Sequence, residues 1–292
     1  MLVGDKKMDR KIAIQIRYHE RCYETFKLAA ECGFKYVSLA LADNCEWFYE
    51  DNWKEEVKRL KSALNHNGLK CVMTHMPYYS LLLSAEVLDE QMEIAMLRCV
   101  KATSMLGAEI VALHPRAFFV EKTMQMTDKE DITKSFLYNI RNILPLLEEA
   151  EKCGCMIGIE NLPTYPKYDI SFYSNFPEEH KKLIDAFSSP NVCAVWDFGH
   201  ANLANKDHVK AIETLGRRIK GTHVHNNFGA IDDHLPPSMG KVDWKDVMTA
   251  LRNTGFEGYL TTEAIMTVDH AFKSYLEHLK ECLEKLDDML HE

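Results

Sequence analysis

No stretch of about 20 apolar residues occurs anywhere in this sequence, so no segment has the length a helix needs to cross a bilayer. A basic excess is also missing. Against 35 Lys and Arg stand 44 Asp and Glu, a formal net charge of −9, and no global positive field exists to collect nucleic acid or an anionic membrane. That weighs against DNA, although a local basic groove is still compatible with it. Cysteine is present nine times, an odd number without a Cys-x-x-Cys pair, which reads as reduced thiols rather than a disulfide framework. Cys153 and Cys155, two residues apart, read as packing at the entry to a strand. The opening MLVGDKKMDRKIAIQIR is too charged, and its apolar part too short, for a secretory signal, so a cytoplasmic location is expected. Linkers, low-complexity runs and charge blocks are absent too, which leaves one domain over residues 1–292.

What is present is a repeating alternation. Short β-rich apolar runs alternate with longer amphipathic ones, the pattern of repeated β/α units around a parallel sheet. Eight strands are expected: Lys11–Ile16, Tyr36–Leu41, Leu69–Thr74, Ile110–His114, Met156–Glu160, Val192–Asp197, Ile219–His223 and Gly258–Glu263. Several are almost wholly apolar, as strands covered on both faces must be. Helical spacing is carried by Trp53, Val57, Leu60 and Leu64, by Phe136, Ile140, Ile143, Leu144 and Leu147, and by Leu276, Leu279, Cys282, Leu283, Leu286 and Leu290. Gly33, Gly68, Gly107, Gly154 and Gly255 fall just before strands, where a helix closes in a left-handed cap. The fold class this predicts is α/β, a single (β/α)8 TIM barrel. Two connections, 115–132 and 161–179, are long and follow strands, where barrel enzymes place functional loops.

Polar residues break the apolar strands at their C-terminal ends, and the same types recur. His75 follows the third strand, while His114, Glu160, Asp197, His223 and Glu263 end the fourth to the eighth; His200 lies three residues beyond Asp197. A single strand-end histidine is commonly structural, and a single carboxylate commonly an ion-pair partner or helix cap. Six consecutive strands ending this way converge on one barrel mouth, where packed carboxylates and imidazoles need a cation among them. Mixed imidazole and carboxylate donors suit Zn²⁺, Mn²⁺ or Co²⁺, and the lack of a thiolate among them argues against a Cys-based structural site.

The stretches THMPY (74–78), HP (114–115), IEN (159–161), DFGH (197–200), HVHNN (223–227), DDH (232–234) and TTEA (261–264) resemble, in order and spacing, the xylose-isomerase-like barrel superfamily. That superfamily holds sugar isomerases, epimerases, inosose dehydratases and type IV apurinic endonucleases, and the likeness runs through almost the whole chain. By resemblance to its epimerases, one metal falls to Glu160, Asp197, His223 and Glu263. By resemblance to its endonucleases, two further metals fall to His75 and His114, and to His200, Asp232 and His234. His223 fits the family pattern of a histidine followed three residues later by Asp or Asn, here Asn226; His225 also points inward, two residues along a strand.

The resemblance implies an isomerase or epimerase of a sugar or sugar phosphate working through an enediolate, with Glu160 and Glu263 as acid and base. His200 is then expected to hold a substrate oxygen. Lys241 neutralises a phosphate or sugar oxygen, or else is a solvated surface lysine. The alternative is a metal-dependent phosphodiesterase at abasic sites in DNA. HPRAFF (114–119) and IENLP (159–163) depart from the endonuclease pattern, whereas DDHLPPSMGKVDW (232–244) looks like the sugar isomerase branch. A non-catalytic metal or sugar binder is a third reading. Tyr165, Tyr168, Phe172, Tyr173 and Phe176, with Phe118 and Phe119, suit stacking on a sugar face or packing in a homodimer or homotetramer. Trp47 and Trp196 read as core residues.

Overall fold

A computed structural model describes residues 9–19, 22–41, 45–81, 83–86, 89–119, 129–165, 170–204, 207–264 and 272–292. Eight parallel strands close into a barrel: β1 (Ile12–Arg17), β2 (Tyr36–Ala40), β3 (Lys70–His75), β4 (Ile110–Leu113), β5 (Met156–Glu160), β8 (Val192–Asp197), β9 (Ile219–Val224) and β10 (Leu260–Thr262). All eight expected strands form, their ends shifted by at most two residues. One addition lies in the expected 161–179 loop, an antiparallel pair of β6 (Thr164–Tyr165) and β7 (Ile170–Ser171).

Strand periodicity explains how the barrel sorts its residues. In β4, Ile110 and Ala112 pack with Cys193 and Val195 of β8 and Ala13 of β1 inside the barrel, while Val111 and Leu113 join the larger core under the helices. The interior has little room. A Cβ at Gly158 would lie 2.5 Å from Val195 Cγ2 and 2.7 Å from Ile110 Cγ2, so glycine is required there on steric grounds. Carrying the inward parity upward along each strand leads to Gln15 and Arg17, His114, Glu160, Asp197, His223 and His225, and Glu263. Polar groups at one mouth therefore follow from the same alternation that fills the barrel.

The outer ring consists of α1 (Cys22–Glu31), α2 (Trp53–His66), α3 (Glu90–Leu106), α4 (Lys129–Cys153), α5 (Pro177–Ala186), α6 (Phe198–Leu203), α7 (His208–Leu215), α8 (Trp244–Asn253) and α9 (Phe272–His291). The predicted stripes of α2 and α9 are buried throughout. In α4, Ile143 and Leu147 are buried, but Leu144 turns out to solvent. Gly107, at the C-cap of α3, has φ +87°, a left-handed conformation that lets its N–H bond Ser104 O before β4 starts. Among the described residues, no helix is long and apolar enough to cross a membrane.

Candidate metal centre and active site

Glu160 ends β5 at the floor of the mouth, fully buried. Its Oε2 lies 3.2 Å from His75 Nε2 and 3.3 Å from His114 Nε2, and its Oε1 lies 2.9 Å from His223 Nδ1 and 3.4 Å from His200 Nδ1. Neither oxygen has a partner of hydrogen-bond geometry, nor does either ring nitrogen of His223. Burying a carboxylate without compensation costs several kcal/mol, so this arrangement needs positive charge at its centre.

The surrounding hydrogen bonds orient the rings. His75 Nδ1 donates to Met76 O (2.9 Å), His200 Nδ1 to Asn161 O (2.9 Å) and His234 Nδ1 to Glu263 O (3.1 Å). With Nδ1 committed to a carbonyl, each ring turns Nε2 toward the acidic centre, as metal-ligating histidines do. His75 Nε2 meets His114 Nε2 at 3.1 Å, and His200 and His234 present theirs to Asp232 Oδ2 at 3.4 and 3.1 Å. Two neutral imidazoles facing each other through lone pairs repel unless a proton or a cation lies between them.

Backbone elements place these groups firmly. Asp197 closes β8 opposite His223 of β9 and caps α6, its Oδ1 accepting from His200 N at 2.6 Å. Asn161 bridges β5 and β8, accepting from Asp197 N at 2.7 Å and donating to Asp197 O at 2.9 Å. Buried His180 donates Nε2–H to Ile159 O at 2.8 Å, anchoring the strand one residue before Glu160. Asp232 and His234 arrive on the β9–α8 loop, which folds back through paired backbone bonds between Asn226 and Leu235 (both 2.9 Å).

Electrostatics follow from this crowding. Burial raises the Glu160 carboxyl, but the charge on His223 outweighs that and holds it well below the ordinary range. Burial likewise opposes charge on His223, yet Glu160 and Glu263 lift it to about 9. His234 is lifted to about 9 against its burial by Asp232, and His200 well above 6.5 against its burial by Asp197 and Asp232. His114 goes the other way, pushed below 6.5 by burial. Without metal, imidazolium protons balance the carboxylates Glu160, Asp197 and Asp232, the donors a divalent cation would take.

Three groups have donor atoms within 4.8 Å of one another: Glu160, Asp197, His223 and Glu263; His75, His114 and Glu160; and His200, His225, Asp232 and His234. All nine ligand positions expected from sequence are thus brought together, with His225 joining the third group. Its Nε2 lies 2.9 Å from Asp197 Oδ2, whereas His223 Nδ1 faces Glu160 and, at 3.2 Å, Glu263. Lys241 does not join them. Its side chain is exposed and outside the cavity lining, and its N–H bonds Asn227 O and Asn226 Oδ1.

A cavity of about 190 Å³ opens over the cluster, lined by Gln15, Arg17, His75, Tyr78, His114 and Glu263 among others. Gln15 and Arg17 were not expected, although their inward parity on β1 is legible once Ala13 is assigned to the interior. Of the expected aromatics, Phe172, Tyr173 and Phe119 are buried within the chain and Phe176 is exposed; Tyr168 lies outside the described residues. The fully buried ring of Trp196 is part of the core, and half-buried Trp47 stacks on Phe48 at 3.8 Å.

A closed parallel barrel with imidazoles and carboxylates gathered at the C-terminal ends of its strands defines a barrel with a candidate metal centre. The chain belongs to the xylose isomerase-like TIM barrel family, whose model matches residues 26–286. It is 25% identical over 227 residues to uncharacterized protein MJ1311 of Methanocaldococcus jannaschii, covering 76% of this chain and 73% of that one. It is 27% identical over 124 residues to D-psicose 3-epimerase of Enterocloster bolteae, a match of 42% of this chain and only 38% of the epimerase. A D-tagatose 3-epimerase-like protein of known structure superposes with a TM-score of 0.70 at 19% identity, over 94% of this chain and 98% of that one, a likeness of fold.

Proposed function

We propose that this protein is a metal-dependent isomerase or epimerase acting on a sugar or sugar phosphate. The observation that carries it is the pair Glu160 and Glu263 flanking one atom, His223 Nδ1, at 2.9 and 3.2 Å beneath a cavity fit for a small polar ligand. Family membership and the partial match to D-psicose 3-epimerase support the same reading.

Glu160, Asp197, His223 and Glu263 would hold a divalent cation, Zn²⁺, Mn²⁺ or Co²⁺ by donor type. When bound, it supplies a Lewis acid to a sugar carbonyl and the neighbouring hydroxyl. Glu263, in the cavity wall and held by Gln15, takes the proton from the carbon beside the carbonyl, leaving an enediolate. Glu160, a carboxylate at rest, would take up a proton from solvent and deliver it to the re-forming C–H bond, while Glu263 releases the proton it took back to solvent. Both nitrogens of His200 face protein groups, which favours the metal-ligand side of its two expected roles.

The second reading is a phosphodiesterase acting on abasic DNA, favoured by the three donor groups. The net charge of −9 and the loop built on Arg116 weigh against it. That guanidinium lies 3.8 Å above the Tyr79 ring and donates to Ser84 O at 2.7 Å. One experiment separates the two. The protein is incubated in deuterated water with a panel of ketoses and ketose phosphates, and separately with an oligonucleotide carrying one abasic site. Deuterium incorporation into at least one sugar is expected. Strand cleavage above a His75→Ala control, with no incorporation into any sugar, would reverse the assignment.

A further inference from the structure

His225 stands one residue past the end of β9 and is fully buried. Its ring occupies space that exists only because residue 199 lacks a side chain, since a Cβ there would lie 1.9 Å from His225 Cε1 and 2.2 Å from its Nδ1. On its other face the ring stacks on His234, centroids 3.9 Å apart and planes 2° from parallel. Nδ1 has no hydrogen-bond partner, Nε2 lies 2.9 Å from Asp197 Oδ2, and a ring nitrogen of His225 lies within 4.8 Å of donor atoms of His200, Asp232 and His234.

Asp232 and His234 present their donor atoms to the same space, and one oxygen of Asp232 is left orphaned there. His234 adopts φ +48°, a left-handed conformation that histidine, asparagine and aspartate enter more readily than other side chains, and in it directs Nε2 to Asp232. Asp232 Oδ1 is buried without a hydrogen-bond partner. The residues come from three separate segments: His200 from α6, His225 from the end of β9, and Asp232 with His234 from the loop that returns toward α8. That loop leaves Phe228, Ile231 and Met239 exposed on either side of Asp232 and His234, whereas Pro236, Pro237 and Val242 are buried.

We propose that His225 is the fourth protein ligand of a divalent cation held with His200, Asp232 and His234, and that this ion is a structural clasp pinning the β9–α8 loop to the barrel mouth. Four protein donors are what closed structural zinc sites use, whereas catalytic sites keep a position free. The clasp ion therefore leaves the Glu160 centre to do the chemistry and offers no coordination position to a phosphate oxygen. Hydrogen bonding of His225 to Asp197 is the competing role, in which His225 orients a ligand of the Glu160 centre and binds no ion itself.

The test needs no sugar, so its failure and that of the isomerase reading are separable. Metal content is measured by mass spectrometry on folded, dialysed wild type and on His225→Ala, His225→Gln, Asp232→Ala and the His225→Ala/Asp232→Ala double variant. Each single variant is expected to lose the same one equivalent, and the double variant no more. Full retention in both His225 variants overturns the proposal, as does loss of a second equivalent in the double, which would assign His225 to Asp197. Wild-type protein supplies an arm that no misfolded variant can spoil. Chelator is expected to speed chymotryptic cleavage at Phe228 at least tenfold, with Zn²⁺ restoring protection, and an unchanged rate overturns the clasp.

Discussion

Gln15 donates its side-chain N–H to Glu263 Oε1 at 2.5 Å, so the first strand of the barrel fixes the orientation of a carboxylate on the last. Gln15 Oε1 in turn accepts from Ser38 Oγ at 3.3 Å, which sets the amide the right way round. A ligating carboxylate held by an outer hydrogen bond typically loses about 10–100-fold in metal affinity or activity when that partner is removed. Gln15→Leu is expected to fall in that range, read from sugar deuteration rates and from competition for metal with a chromophoric chelator. Gln15→Glu should be worse, since it places a second carboxylate against the first.

Metal removal should destabilise the fold as well as stop turnover. An ion present at a thousand times its dissociation constant adds about 4 kcal/mol to a folded state that alone binds it. For a chain of this size that corresponds to a drop in melting temperature on the order of 10 °C after chelation. Differential scanning calorimetry before and after chelation, then with Zn²⁺ or Mn²⁺ restored, checks it. An unchanged transition would remove the cation from the account of how Glu160 is tolerated.

The pH dependence of the metal-free protein has a definite sign. His223 and His234 are lifted from 6.5 to about 9, so the stability they contribute is complete below pH 6.5 and is lost as pH rises through 9. Asp232 is depressed, burial opposing and His200 with His234 prevailing, so its contribution is present above its ordinary value of 3.8 and is lost only in stronger acid. Metal-free protein should therefore lose stability between pH 6.5 and 9. Metal binding should do the reverse over the same window, tightening with pH as imidazolium protons are released. Calorimetric titration in buffers of different ionisation enthalpy counts those protons.

Inside the barrel the fold can be tested apart from the site. Gly158→Ala forces a methyl against Val195 and Ile110, with contacts of 2.5 and 2.7 Å before relaxation. Overpacking of this kind costs about 1–3 kcal/mol. The variant should melt several degrees lower in chemical denaturation and calorimetry, and it should keep its metal unless β5 shifts enough to move Glu160.

Strand periodicity and residue type made much of this legible beforehand. An inward Glu at position 160 and an inward His at 223 follow from counting by two along apolar strands, and their convergence follows from barrel closure. Gln15 escaped notice because a neutral amide on the first strand gives no ionisable signal, although the same counting reaches it. His223 on β9 and His225 just past its end have the same inward parity, so counting could not divide them; only the positions of Glu160 and Gly199 do. Lys241 carried two readings, and its exposed side chain fits the solvated surface lysine. Its side-chain direction depends on the turn organised by Asn226, whose Oδ1 accepts from the N–H groups of Asn227, Lys241 and Val242. The aromatic run at 172–173 points inward for tertiary reasons that composition does not carry.

The two glutamates should separate under substitution by glutamine. Glu263 lines the cavity and has 7% of its side chain exposed, whereas Glu160 is fully buried among four histidines and its carboxylate is shared between two donor groups. Glu263→Gln keeps one oxygen donor and removes the base, so proton exchange should fall by roughly 10²–10⁴-fold, the usual worth of general base catalysis. Most of the bound metal should remain. Glu160→Gln removes the negative charge on which four imidazoles converge, so it should lose metal first and activity in consequence, with a lower melting temperature. Excess metal should restore proton exchange begun by Glu263 but not product formation, which needs the proton Glu160 delivers, and it should restore none of the exchange lost in Glu263→Gln. Equal metal contents and equal exchange rates in the two variants would show that the pair does not divide its work in this way.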